Sequence, residues 1–193
     1  MSSYGFRRTL TGRISCRLDE SERSLLANLT GQLVGMVEPD EPHEDQDPLA
    51  AMVGIDTNVT RPTDPAVGRL FPDAYLDDPT ASDDFRRYTE RSLRESKLAN
   101  ARTVLDTLAS SGDKITLADG AALAWMGTIN DLRLVLGTRL NITDEGHQIP
   151  EGLSEDDVTF GLHHIYDWLT YLQETLIQAM TGLVSEPPDN VMQ

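Results

Sequence analysis

Phe6, Arg8 and Leu10 alternate along one short stretch of the chain, and Ile14, Cys16 and Leu18 along the next. Period-two patterning on both sides of Thr11-Gly12 predicts a β-hairpin over 4–10 and 13–18, with glycine supplying the turn. The period then changes. Leu25, Leu26, Leu29, Leu33 and Val37 recur at helical spacing, and Asp19 with Glu22 reads as a capping box, so a helix is expected from Asp19 to Val37, ending before Pro39. Asp47-Pro48 and Asp64-Pro65 are cap-then-proline starts for two short helices, 48–53 and 64–71. A long helix is expected over 80–110, capped by Thr80 or Ser82 and stopped by Ser111-Gly112. Its later half carries an apolar face at Leu98, Ala101, Val104, Leu105 and Leu108. Its earlier half is basic and is expected to project or to pack against a partner.

Ile115-Thr116-Leu117 reads as an extended link, with Thr116 and Asp119 boxing the start of a helix over 117–140. That helix carries Leu123, Met126, Ile129, Leu132, Leu136 and Leu140 on one face. Gly127, Asn130, Leu134 and Gly137 form a second stripe, mostly of small residues, that would let a neighbour approach, which makes this helix central. After an acidic loop over 141–153, Ser154 with Asp157 opens the last helix. Val158, Leu162, Ile165, Leu169, Leu172, Leu176 and Met180 give it a near-heptad seam. The fold class read from this pattern is mainly α: an N-terminal β-hairpin followed by a bundle of about three long and two short helices. The expected organisation is a single domain over 1–193 with a folded core over 4–184, a mobile acidic loop over 38–47 and a disordered tail over 185–193.

Composition narrows the classes. The 193 residues hold 16 Lys+Arg against 32 Asp+Glu, a formal net charge of −16, which argues against a surface built wholly for nucleic acid. One cysteine excludes a disulfide scaffold and a Cys-ligated zinc finger. No apolar run is long enough to span a membrane, and the first residues lack the apolar stretch of a signal peptide, so a cytoplasmic location is expected. The charge is uneven. Residues 1–18 carry Arg7, Arg8, Arg13 and Arg17 and no acid, and residues 86–102 carry six bases, among them Arg87, Arg91 and Arg94, against Glu90 and Glu95. Residues 38–47 hold six acids and no base. Two docking surfaces of opposite sign, or faces complementing each other within the chain, both fit this distribution. Of the 16 bases 14 are Arg, which fits a GC-rich genome or a preference for bidentate carboxylate pairing.

No motif for phosphate loops, nucleophile elbows or metalloprotease helices occurs, so no catalytic, cofactor or metal residues are assigned and an enzyme is not expected. Cys16 falls on an inward strand position. A structural thiol is the ordinary reading, and a redox-sensing thiol beside Arg17 is the alternative. His43 stands among Glu41, Glu44 and Asp45, where a solvated loop outweighs a weak cation site. His163 and Asp167 share a metal-compatible spacing without the partner pair that a di-iron bundle needs. His164 is expected to lean on Trp168. Asp131, Arg133 and Arg139 interrupt one apolar helix and Asp167 and Glu174 the other, which predicts Arg–carboxylate pairs fixing the register between them.

Four strings carry a resemblance: Asp47-Pro-Leu-Ala-Ala-Met-Val-Gly54, Arg69-Leu-Phe-Pro-Asp-Ala-Tyr75, Ile129-Asn-Asp-Leu-Arg-Leu-Val-Leu-Gly-Thr-Arg-Leu140 and Tyr166-Asp-Trp-Leu-Thr-Tyr-Leu-Gln-Glu174. Together they resemble an actinobacterial family of unknown function whose genes tend to lie near that of the Clp-protease adaptor ClpS. The resemblance covers roughly 5–184 and agrees with the Arg-rich composition. It implies no catalytic residues. It also implies a link, through a mycobacterial branch, to oxidative-stress regulation with a stress sigma factor and a response through cysteines. With Cys16 alone, this chain cannot form an intramolecular disulfide.

The leading expectation is a non-enzymatic regulatory or adaptor protein that docks a protein partner through its basic hairpin and basic helix. The alternative is a transcription regulator touching a sigma factor, RNA polymerase or DNA through the same blocks. Nucleic acid is the less favoured partner, and a membrane is not expected. A third reading places a small-ligand or enzymatic site among Asp131, Arg133, His164 and Asp167. The near-heptad last helix leaves a homodimer open.

Overall fold

The computed structural model describes residues 4–38, 61–143, 149, 152, 154 and 157–182. The acidic stretch expected to be mobile (all but Glu38), His43, the short helix expected at 48–53, His147 and the tail over 185–193 lie outside the described residues. The first strand, β1, spans Tyr4–Arg8, and β2 spans Ile14–Arg17. They pair antiparallel through a turn in which Gly12 adopts φ 80°, a value glycine accepts without strain. Leu10, expected on the inner face, sits in this turn and is fully exposed.

The expected extended link is a third strand, β3, at Lys114–Leu117. It pairs antiparallel with β2, giving a sheet in the order β1-β2-β3. A hairpin alone has too little surface to persist, and a third strand completes a face that can be covered. β1 carries one extra residue: Tyr4 pairs with Arg17 but Arg7 with Ser15. Within this bulge, the Gly5 N–H donates to the Tyr171 hydroxyl at 3.0 Å and the Phe6 N–H to Thr175 Oγ1 at 3.0 Å, so the unpaired donors are satisfied by the last helix.

Five helices follow among the described residues: α1 at Glu20–Val37, α2 at Pro65–Leu70, α3 at Pro79–Ser110, α4 at Asp119–Arg139 and α5 at Val158–Thr181. The mainly helical architecture is as the periodicity predicts, and four of the five are long. The Asp19–Glu22 box is complete. Asp64 caps α2 through the Ala66 N–H. Other starts differ. Asp78 caps α3 with Pro79 at its first position, because Ser82 is committed elsewhere: its hydroxyl donates to the Tyr75 carbonyl and accepts from the Tyr75 N–H. Ala118 begins α4 with no side-chain cap, since Thr116 belongs to β3. Asp157, not Ser154, caps α5.

The inner face of the sheet presents Phe6, Ile14, Cys16, Ile115 and Leu117 to α4 and α5. Phe6 meets Trp125 edge-to-face at 5.6 Å. α4 packs against α2, α3 and α5, so it is central as its small residues predict. A Cβ at Gly127 would come 3.0 Å from Asn100 Nδ2, and one at Gly137 would come 3.3 Å from the Tyr166 ring. Being covered on several sides, α4 does not keep one apolar face: Leu123 is exposed and Trp125 is fully buried. On α5, Val158 is exposed and His163 is buried.

Candidate functional site: the outer face of the sheet

The basic half of α3 is largely used inside the molecule. Arg86 and Glu90 are only 7% and 6% exposed. Arg86 donates to Glu90 Oε2 at 2.7 Å, to Asp73 Oδ1 at 2.8 Å and to the Phe71 carbonyl at 3.1 Å. Arg94 donates to Glu90 Oε1 and to the Val37 carbonyl at 2.8 Å, and its guanidinium lies 4.3 Å over the Phe71 ring. Glu90 thus receives two arginines one turn away on either side and ties the end of α1 to the segment after α2. Arg87 and Arg91 point outward, each beside an acid of the same helix, Asp84 at 3.2 Å and Glu95 at 3.1 Å. The projecting cationic helix expected from the charge count is therefore a self-neutralised one. Next to it a groove of about 540 Å³ runs between α3 and the segment after α2, lined by Phe71, Asp73, Phe85, Arg86 and Leu93.

The polar residues of α4 and α5 do not form the expected Arg–carboxylate pairs. Arg133 donates to Thr170 Oγ1 at 3.0 Å, to Gln173 Oε1 and to the Tyr166 hydroxyl at 3.3 Å, with its guanidinium 5.2 Å from the Tyr166 ring. Neutral acceptors serve here because Asp167 and Glu174 lie on the exposed side of α5. Asp131 faces α3 and accepts from Lys97 Nζ at 2.6 Å. Burial pushes the Asp131 carboxyl up, and the Lys97 ammonium partly opposes this. Arg139 reaches Asp64, the cap of α2. His164 meets Phe160, not Trp168, at 4.6 Å between ring centroids. Asp131, Arg133, Arg139 and His164 are thus dispersed over separate contacts rather than gathered into one site. No group of three or more His, Cys, Asp or Glu that could hold a metal occurs among the described residues.

The outer face of the sheet is different. Alternation along paired strands sets Arg7, Ser15, Arg17, Lys114 and Thr116 on the side opposite the core, with Ser15 between Arg7 and Thr116 and Arg17 beside Lys114. Arg8 and Arg13 are exposed nearby. Among the described residues Arg8, Arg13, Arg17 and Lys114 have no carboxylate partner. Ser15, the small residue at the centre, is 5% exposed and lies in a depression of about 210 Å³ lined also by Arg7, Arg8, Arg17 and Lys114. Lys114 and Ser15 escape sequence reasoning because their place depends on β3. Cys16, on the same strand, points the other way: its side chain is 1% exposed. Burial, with the Glu22 carboxylate adding to it, pushes its thiol up to about 12.

The chain is 35% identical over 184 residues to proteins of Mycobacterium bovis and of Mycobacterium tuberculosis named oxidative stress regulator AosR, covering 88% of this chain and 83% of theirs. No solved structure matches. The family model for a domain of unknown function, DUF2017, matches residues 3–180, and the chain belongs to that family.

Proposed function

We propose that this chain is a non-enzymatic, cytoplasmic regulatory protein of the oxidative-stress response that acts by docking a partner protein through the outer face of its sheet. The observation that carries this reading is the set of exposed cations on and beside that face, Arg8, Arg13, Arg17 and Lys114, which have no carboxylate partner among the described residues, in a protein whose other arginines are largely matched by internal partners. The relatives named as oxidative stress regulators supply the stress-related role. No helix among the described residues is long and apolar enough to cross a membrane.

The oxidant signal reaches the protein through its partner and not through its own thiol. A lone thiol cannot close an intramolecular disulfide, and a buried, protonated one reacts slowly. The test is capture of partners from the native host by the tagged protein, before and after peroxide. Arg13→Glu with Arg17→Glu removes the specific partner, and Cys16→Ser captures it as the unaltered protein does, before and after peroxide alike. Retention of the same partner by the charge-reversed protein contradicts the docking face, and loss of the peroxide response in Cys16→Ser contradicts the passive thiol.

A further inference from the structure

The depression over Ser15 gathers four cationic side chains around a hydroxyl. Strand pairing places a short side chain at the middle of the outer sheet face and long cationic ones around it. The walls are Arg7, Arg17 and Lys114, and the floor carries the Ser15 hydroxyl, which makes no hydrogen bond to another described residue. Without a partner, this hydroxyl is an unused donor in a cationic hollow, and charge-assisted donation to an oxyanion is what it can supply. At about 210 Å³ the hollow admits a carboxylate with several waters, since a water occupies about 30 Å³.

We propose that this hollow receives a side-chain carboxylate from an acidic segment of the docked partner protein. The inference rests on the docking reading above and adds the chemistry of the contact. Two features favour a short acidic segment over a nucleic acid. The strands hold only four or five residues each, so the cationic face spans about 15 Å along the strands. A duplex carries its charge far beyond that patch and would meet the rest of a molecule whose net charge is −16, whereas a peptide's charge ends with its acidic run.

The test uses fluorescence anisotropy with a fluorescein-labelled octaglutamate peptide and a labelled 20-base-pair duplex, in ~50 mM salt. Circular dichroism verifies that each variant is folded. The full-length protein binds the peptide more tightly than the duplex. Ser15→Leu fills the hollow without changing charge and weakens peptide binding about tenfold, one lost charge-assisted contact. Ser15→Thr keeps the hydroxyl and binds within a factor of about two, a difference of under 1 kcal/mol. Arg17→Glu with Lys114→Glu abolishes binding, and Arg87→Glu with Arg91→Glu leaves it unchanged. Unaltered peptide binding by Ser15→Leu, or preference for the duplex, overturns the proposal. Partner capture separates the two readings. Capture lost in Arg13→Glu with Arg17→Glu but kept in Ser15→Leu overturns the seat alone, and capture kept in both overturns docking itself.

Discussion

Cys16 shows how burial decides the chemistry of a residue that sequence leaves open. Beside Arg17 on a strand, its thiol could be activated if it were exposed, because a neighbouring cation favours the thiolate. The strand turns it inward, where a thiolate would lose solvation, and Glu22, buried at the start of α1, opposes negative charge further. Raising the thiol from 9.0 to about 12 lowers its thiolate fraction near neutral pH about a thousandfold. Labelling by a small disulfide reagent at pH 7.5 is therefore expected to be at least ~10-fold slower in the folded protein than in the protein unfolded by denaturant, the greater nucleophilicity of a high-pKa thiolate offsetting part of its scarcity. Labelling at the unfolded rate under native conditions would mean that the strand opens readily or that the thiol is not enclosed. Asp131 is governed by the same burial effect. Because burial raises its folded-state value, the folded state holds the proton more tightly than the unfolded state does. This group then favours folding as pH falls through the ordinary carboxylate range, and its contribution is lost as pH rises through the raised value.

Elements are held in place here by a few polar staples on top of apolar packing. Glu90 is the clearest, since it joins Arg86 and Arg94 and through them Phe71, Asp73 and Val37. Glu90→Ala leaves Arg86 with Asp73 alone and the part-buried Arg94 with no carboxylate, and is expected to cost about 1–3 kcal/mol, measured by urea denaturation. A loss below ~1 kcal/mol would show that the arginines reach solvent instead. The bulge in β1 is a second staple. A Cβ at Gly5 would lie 2.6 Å from Thr175 Cγ2, so Gly5→Ala must push α5 away or break the Phe6 N–H bond, at about 1–3 kcal/mol. Thr175→Ser in the same background removes the methyl that collides and is expected to recover part of the loss.

These elements also show what could be read in advance. The box at Asp19, the Asp-Pro start at Asp64 and the close approaches at Gly127 and Gly137 follow from local chemistry, and all are present. The Glu90 staple was encoded at i, i+4 spacing, yet charge counting merged it into a basic block, because a sum does not say which side of a helix a side chain takes. β3 and Ser15 depend on pairing across about a hundred residues, which periodicity does not carry. The loss of a single apolar face on α4 has a similar origin: the neighbouring helices on its several sides decide what is buried there.

At the scale of the whole molecule, a net charge of −16 coexists with a small cationic face, and the two respond to salt in opposite directions. Self-repulsion among surface acids opposes the compact state, and it is screened over about 10 Å at 0.1 M salt. The buried Arg86–Glu90 pair is screened far less, so added salt removes more repulsion than attraction from the folded state. Raising sodium chloride from ~20 to ~200 mM at pH 8 is therefore expected to raise the melting temperature. Over the same range, an acidic partner seated on the sheet face loses its attraction, and its affinity falls. Differential scanning fluorimetry and anisotropy on one salt series measure both. Stability and binding falling together would mean that exposed ion pairs, not repulsion among acids, dominate the fold. Both rising together would mean that the partner contact is apolar, and the groove beside α3, rimmed by Phe85 and Leu93, would then replace the sheet face as the docking surface.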